Sequence, residues 1–234
     1  MLIPSQIESE GFGIDCSLVK ENLQEIQKNI AHSNVKIIAV TKYFGLEGIE
    51  AGYKAGVRDF AESRAVEASE KIEALSEEIK RNSTFHFIGH IQSNKVEKVV
   101  EHFDVIHSVD SIKIAKKISE VACRLNKREK VLLQVNNANE EQKFGYTKDG
   151  LKSELEEILK LEGIEVIGLM NIAPLSEDKE MLHSLFKDIR CFRDELESEF
   201  GIKLPELSMG MSNDYEIAIE EGATIIRVGR KLFK

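Results

Sequence analysis

Two hydrophobic periods alternate along this chain. Short apolar runs rich in β-branched residues predict strands, and apolar positions at three- and four-residue spacing between them predict helices. The predicted strands lie at residues 35–42, 57–61, 85–89, 104–109, 131–135, 165–170, 206–209 and 224–228. A leading helix is predicted over 15–32, and further helices over 46–55, 65–79, 93–102, 151–159 and the segments that follow residues 110, 176 and 213.

Capping residues support several of these boundaries. Side-chain oxygens favour the first position of a helix, and glycine favours the position after its last turn. The predicted N-caps are Asp15, Ser63, Asp110 or Ser111, the Ser176–Asp178 segment and Asn213, with Gly56 as a C-cap.

Eight strands that alternate with helices predict a (β/α)8 barrel, here with one extra helix in front. A doubly wound open sheet is the alternative. Three prolines and the lack of a Ser/Gly-rich linker indicate no domain boundary, so residues 1–234 are expected to form a single domain.

The charge pattern excludes several classes of protein. The net charge is −9 and no long basic tract exists, which argues against nucleic acid as a partner. No basic and apolar leader opens the chain, and no apolar run approaches the roughly 20 residues needed to span a bilayer. Cys16, Cys123 and Cys191 are odd in number and far apart, which fits reduced thiols in a cytoplasmic protein; their positions in predicted helices suggest small core fillers.

The first predicted strand ends on a lysine. Val35–Thr41 is almost wholly apolar, and Lys42 follows it. Active sites of (β/α)8 barrels lie at the C-terminal ends of the strands. If the face shared with Ile38 and Val40 points inward, the amine stands above an apolar floor, where partial desolvation favours the neutral form. A neutral amine can form a Schiff base with an aldehyde. The alternative is an ordinary surface lysine.

The last two strands are followed by candidate anion-binding loops. Ser208–Asn213 leads into a helix, and Arg227–Arg230 closes the eighth strand. Glycines allow close backbone approach, hydroxyls donate, and arginines match phosphate oxygens. Barrel closure makes these loops neighbours of Lys42. An aldehyde that also carries a phosphate, such as pyridoxal 5′-phosphate (PLP), would bridge the two.

These segments resemble the PLP homeostasis proteins, also called the YggS-like or proline synthase co-transcribed homologue family, which has the barrel of the alanine racemase N-terminal domain. The resemblance extends from about residue 15 to 233. The matching segments are 38–42, 85–95, 143–145, 168–170, 208–212 and 227–229.

The resemblance implies that Lys42 holds PLP as a Schiff base. It also implies that the phosphate is held by Ser208, Gly210, Met211, Ser212, Arg227, Gly229 and Arg230, and Ser63, His90 and Met170 are further expected cofactor contacts. The implied role is intracellular PLP (vitamin B6) homeostasis by binding, buffering or delivery to PLP-dependent apoenzymes, without established turnover. Two positions depart from the family: Ser63 replaces an asparagine and Arg230 replaces a threonine.

Three alternatives remain. A PLP-dependent racemase needs a second base, which related enzymes take from an added β domain, and no such domain is expected here after the eighth strand. A metal-dependent enzyme would use His86, His90 and His107, although core or rim histidines are the better interpretation. A Schiff-base aldolase would use Lys42 without PLP. No long exposed apolar stripe is predicted, so a monomer is expected.

Overall fold

The computed structural model describes residues 14–30, 33–138 and 144–234. Residues 1–13, to which the expectation about a leader refers, lie outside these ranges. So does Lys143, which belongs to the matching segment 143–145. The strands are β1 (Lys36–Val40), β2 (Asp59–Glu62), β3 (Thr84–Phe87), β4 (Val105–Val109), β5 (Glu129–Gln134), β6 (Ile164–Met170), β7 (Glu206–Ser208) and β8 (Ile225–Val228).

The eight strands form a closed parallel barrel in chain order, and β8 pairs with β1. The predicted (β/α)8 fold is confirmed, and the open sheet is wrong. The helices are α1 (Cys16–Asn29), α2 (Leu46–Ala55), α3 (Ala65–Ala74), α4 (Glu77–Arg81), α5 (Val96–His102), α6 (Ile112–Arg124), α7 (Lys148–Leu159), α8 (Lys179–Phe200), α9 (Tyr215–Glu220) and α10 (Arg230–Phe233).

Several predicted helix ends are confirmed. The Asp15 carboxylate accepts the Ser17 amide, Ser111 caps α6, and Asp178 caps α8. Gly56 follows α2 with a left-handed φ of 109°. Such a φ strains residues with a Cβ, so glycine suits this position.

Other local predictions are wrong. The predicted helix over 65–79 is two helices, because Ser76 caps α4 and interrupts the first. Arg64, rather than Ser63, precedes α3, and Asp214, rather than Asn213, precedes α9. Cys123 and Cys191 are exposed and therefore are not core fillers.

Apolar side chains pack on both faces of the barrel wall. Outward-facing strand residues and the inner faces of the helices form one large core. Inside the barrel, apolar side chains form two smaller clusters: one is Ile38, Val40, Ala61 and Ile225, and the other is Val105, Leu132 and Met170. No helix in the described ranges is long and apolar enough to cross a membrane.

Candidate functional site

Lys42 lies in the turn after β1, at the C-terminal end of the barrel. Strand β1 ends at Val40, two residues before the predicted end, so its alternation does not reach Lys42. The lysine side chain is half-buried, and its Nζ lies 5.1 Å from the centre of the exposed Tyr43 ring. The position at the barrel mouth is confirmed, but the turn rather than the strand determines where the amine points.

An apolar floor closes the barrel near this turn. Ile38 and Val40 pack inside the barrel against Ala61 and Ile225, with the partly buried Ile88 beside them. These residues come from β1, β2, β8 and the end of β3. The condition that Ile38 and Val40 point inward is therefore met.

A buried ion pair holds the turn at both ends. Lys71 Nζ donates to the carbonyl oxygens of Thr41 and Phe44 at 3.2 and 2.7 Å, and it lies 2.6 Å from Glu62 Oε1. The Thr41 hydroxyl donates to the same carboxylate oxygen at 2.7 Å. We call Lys71 and Glu62 the turn clamp. Sequence reasoning missed it, although a glutamate directly after an apolar strand was an available signal.

The loops after β7 and β8 meet as predicted. Ser212 Oγ accepts the amides of Gly229 and Lys231, both at 3.4 Å. Gly210 has a φ of 88°, and a Cβ there would lie 2.6 Å from the Ala218 Cβ, so the loop requires glycine. We call Ser212, Gly229 and the Lys231 amide the amide seat. These two N–H groups and the hydroxyl are half-buried at the start of α10, and a group of donors in such a place suits an anion.

Two charged residues, Asp214 and Arg230, lie beside the amide seat. Asp214 is buried, its Oδ1 accepts the Met211 amide at 2.5 Å, and burial raises the pKa of its carboxyl group. The Met211 amide is therefore already engaged. Arg230 is exposed at the start of α10, so its predicted phosphate contact stays a prediction.

Arg227 lies inside the barrel and is only 3% exposed. Its Nη1 donates to Ser208 Oγ at 2.7 Å, and its Nη2 donates to the Asn171 carbonyl oxygen at 2.8 Å. Burial lowers the pKa of the guanidinium to about 10, which leaves it charged at neutral pH. Arg227 and Arg230 thus occupy different environments, although the sequence predicted one shared role.

Asn171, which sequence reasoning missed, adds an unsatisfied acceptor beside Arg227. Its Oδ1 is buried without a hydrogen-bond partner among the described residues, while its Nδ2 donates to Asn137 Oδ1 at 3.2 Å. A buried acceptor without a donor is costly and marks a place where a bound molecule can supply one.

The remaining predicted contacts fall in two places. Met170 is fully buried inside the barrel with Val105 and Leu132. Ser63 and His90 line a cavity of about 290 Å³ between the loops after β2 and β3, beside the outward-facing Phe87. The structure brings Ser63 and His90 together but gives them no contact with the amide seat.

His90 is held on the rim by two neighbours. Its Nδ1 lies 3.0 Å from Asp110 Oδ2, and its ring stacks on Phe144 with centroids 3.6 Å apart and planes 11° apart. His86 and His107 are instead buried in the barrel, 2.9 Å apart between ring nitrogens. Within the described ranges, no group of three or more His, Cys, Asp or Glu side chains could hold a metal ion.

Comparisons with known proteins place this chain in a family. The family model for the alanine racemase N-terminal domain matches residues 14–234. The pyridoxal phosphate homeostasis protein of Synechocystis is 44% identical over 200 residues, which cover 86% of this chain and 91% of that protein. The protein of the same name from Aquifex aeolicus is 38% identical over 223 residues, covering 93% and 96%.

A solved relative has the same barrel. PipY of Synechococcus elongatus, solved with PLP bound, superposes with a TM-score of 0.84 at 38% identity, over 92% of this chain and all of that one. The resemblance proposed from the sequence motifs is confirmed across nearly the whole chain. The chain therefore belongs to the pyridoxal phosphate homeostasis protein family, whose barrel is that of the alanine racemase N-terminal domain.

Proposed function

We propose that this protein binds PLP and holds it as a Schiff base on Lys42, as part of intracellular PLP homeostasis. One observation carries the proposal: the half-buried amine of Lys42 and the amide seat lie at the same end of the barrel, in the loops that follow adjoining strands, because β8 pairs in parallel with β1. The names of the relatives and the PLP-bound state of PipY support it.

The residues of the site fit this cofactor. The amide seat suits its phosphate, and Arg227 with the unpartnered Asn171 Oδ1 offers polar groups inside the barrel. When bound, PLP supplies an aldehyde. The Lys42 nitrogen attacks the aldehyde carbon and water leaves, which forms the imine without an oxidant or reductant. Contacts from Ser63, His90, Met170, Ser208, Gly210, Met211 and Arg230 belong to the same proposal.

The remaining parts of the proposal concern the surroundings of the protein. We place it in the cytoplasm as a monomer that buffers PLP or delivers it to PLP-dependent apoenzymes. The turn clamp supports a carrier role because it fixes the lysine turn without using Lys42 itself. The amine therefore remains available to bind and release an aldehyde.

The Lys42→Ala variant tests the covalent bond. We expect purified or PLP-loaded protein to be yellow. The variant should lose the visible band completely, because Lys71, the other amine at this turn, is engaged by Glu62 and two carbonyl oxygens. Borohydride should trap PLP on the wild type only, at the peptide that contains residue 42, as shown by mass spectrometry.

Lys130→Ala is the matched control, because Lys130 is an exposed lysine near the start of β5, at the opposite end of the barrel. This variant should keep the band. A wild-type protein that cannot be loaded with PLP would refute the carrier function. Alanine racemisation faster than with free PLP would instead favour an enzyme.

The Ser212→Ala variant tests the amide seat. Loss of one hydroxyl that binds an anion should weaken PLP binding by about tenfold. Binding of pyridoxal, which has no phosphate, should not change. Ser176→Ala is the control, because its hydroxyl accepts the Asp178 amide in the neighbouring loop. Equal losses for both aldehydes would contradict the phosphate assignment.

A further inference from the structure

A continuous chain of hydrogen bonds runs through the barrel interior, from Arg227 to the opposite end. Arg227 Nη1 lies 2.7 Å from Ser208 Oγ, and this oxygen lies 2.9 Å from His107 Nδ1. His107 Nε2 lies 2.9 Å from His86 Nδ1, and His86 Nε2 lies 3.0 Å from Asp59 Oδ1. Four strands other than β8 supply the links: β7, β4, β3 and β2.

The groups at the two ends determine which partner donates in each hydrogen bond, because Arg227 can only donate and the Asp59 carboxylate can only accept. A guanidinium only donates, so Ser208 Oγ accepts from Arg227 and has its own proton left for His107 Nδ1. His107 then carries its proton on Nε2 and donates it to His86 Nδ1. His86 in turn carries its proton on Nε2 and donates it to the Asp59 carboxylate. Both imidazoles are neutral in this arrangement.

The alternative arrangement leaves a buried hydroxyl donor without an acceptor in the chain. If His86 were charged, His107 would donate from Nδ1 to Ser208, and the Ser208 hydroxyl proton would lose its acceptor in the chain. Burial also opposes a charged imidazole. It lowers the pKa of His107 well below its usual value, and it lowers the pKa of His86 despite the pull of Asp59.

The environment of the chain favours transmission of charge along it. His86, His107, Ser208 and Arg227 are at most 3% exposed, so water does not interrupt the links. In a low-dielectric interior, each hydrogen bond polarises the next one. The negative charge of Asp59 thereby makes Ser208 Oγ a stronger acceptor for the guanidinium.

We propose that Ser208, His107, His86 and Asp59 form a positioning relay that holds Arg227 at the inner wall of the PLP pocket and couples it to a carboxylate at the far end of the barrel. None of these four needs to touch the reacting atoms. The role of the relay in PLP binding rests on the proposed function. Its hydrogen-bond direction does not, because that depends only on the protein.

The direction is tested first, on free protein with ¹⁵N-labelled histidine. The chain has six histidines, and His86→Gln and His107→Gln variants assign the two signals. We expect both imidazoles to be protonated on Nε2 and unprotonated on Nδ1 at neutral pH. A proton on Nδ1 of either ring, or an imidazolium signal, would overturn the relay whether or not PLP binds.

A double-mutant cycle then tests the coupling. Asp59→Asn removes the terminal charge but leaves an acceptor for His86, and we expect the Kd for PLP to rise about fivefold. In a Ser208→Ala background the chain is cut, so Asp59→Asn should cause no further change. His107→Leu, which has no side-chain donor or acceptor, serves the same purpose if the alanine variant does not fold.

Glu206→Gln is the matched control. This carboxylate also lies at the N-terminal end of the barrel, but it accepts the Thr224 hydroxyl and has no hydrogen bond to the chain. It should leave PLP binding unchanged. The relay would be overturned if Asp59→Asn did not change the Kd for PLP, or changed it equally in the wild-type and Ser208→Ala backgrounds. Binding of PLP by the wild-type protein would still support the carrier function.

Discussion

At the scale of single residues, Glu129 is a carboxylate in an unusual setting. It opens β5 and is fully buried, with Lys127 Nζ 2.7 Å from its Oε2. Burial outweighs this neighbour and raises the pKa of the carboxyl group to about 7. Because the folded-state pKa lies above the unfolded-state value, folding takes up a proton between these values. The contribution of Glu129 to stability is therefore lost as pH rises through about 7.

The Glu129→Gln variant should remove this loss. Relative to wild type, the variant should gain about 1 to 3 kcal/mol in free energy of unfolding between pH 5 and pH 8. Urea denaturation at both pH values measures the difference in free energy of unfolding between variant and wild type. The buried histidines change stability with pH in the opposite direction, but both proteins contain them, so their contribution cancels in this difference. Glu165→Gln, an exposed residue near the start of β6, is the control. A gain that is equal at both pH values would contradict the assignment.

Sequence reasoning at this scale succeeded where a residue ends an apolar run or belongs to a motif. Lys42, Ser212 and Gly229 lie where such patterns placed them. Asn171 and the partners of His86 could not be found in this way, because their contacts join strands that are distant in sequence. Glu129 was missed because a charged residue at the start of a strand is typical of a loop.

At the scale of elements, the turn after β1 depends on α3. Glu62 and Lys71 have side chains that are 3% and 12% exposed, and their ion pair also engages the carbonyl groups on both sides of Lys42. Removing one partner of a buried pair leaves a charge without compensation. The clamp therefore links the stability of this part of the barrel to the position of the amine.

The Lys71→Met variant should lower the free energy of unfolding by about 3 to 5 kcal/mol. It should also accelerate PLP release, because the Lys42 turn loses its support; stopped-flow absorbance and urea denaturation measure the two effects. Lys80→Met on α4 breaks an exposed pair with Glu77 and should cost under about 1 kcal/mol. If both variants behaved alike, the clamp would have no special role.

The break between α3 and α4 shows the limit of periodicity. Leu75 and Ile79 continue the apolar spacing of the first helix and are both buried, so the pattern shows no interruption. Ser76 was a possible cap in the middle of an apparently good helix. The short α10 was missed for another reason: four residues are fewer than a hydrophobic period can reveal.

At the scale of the whole molecule, strand count and closure were predictable because eight apolar runs recur in order. The function of the barrel could not follow from that count, since it depends on which ends of which strands meet. Closure brings β8 beside β1 and thereby places the amide seat at the same end as Lys42. The sequence motifs anticipated this meeting but not the relay beneath it.

We expect a monomer from the apolar surface of the described residues. Among the large hydrophobic side chains of the described residues, three are more than half exposed: Tyr43, Phe144 and Leu175, at 74%, 55% and 86%. They lie in the loops after β1, β5 and β6, whereas a stable interface usually takes about 800 Å² from each partner. Light scattering should therefore give a mass near 26.4 kDa at all micromolar concentrations. A mass that rises with concentration would contradict the expected monomer. Replacement of all three side chains with serine would then show whether the molecules associate through the barrel mouth. Association there would cover Lys42.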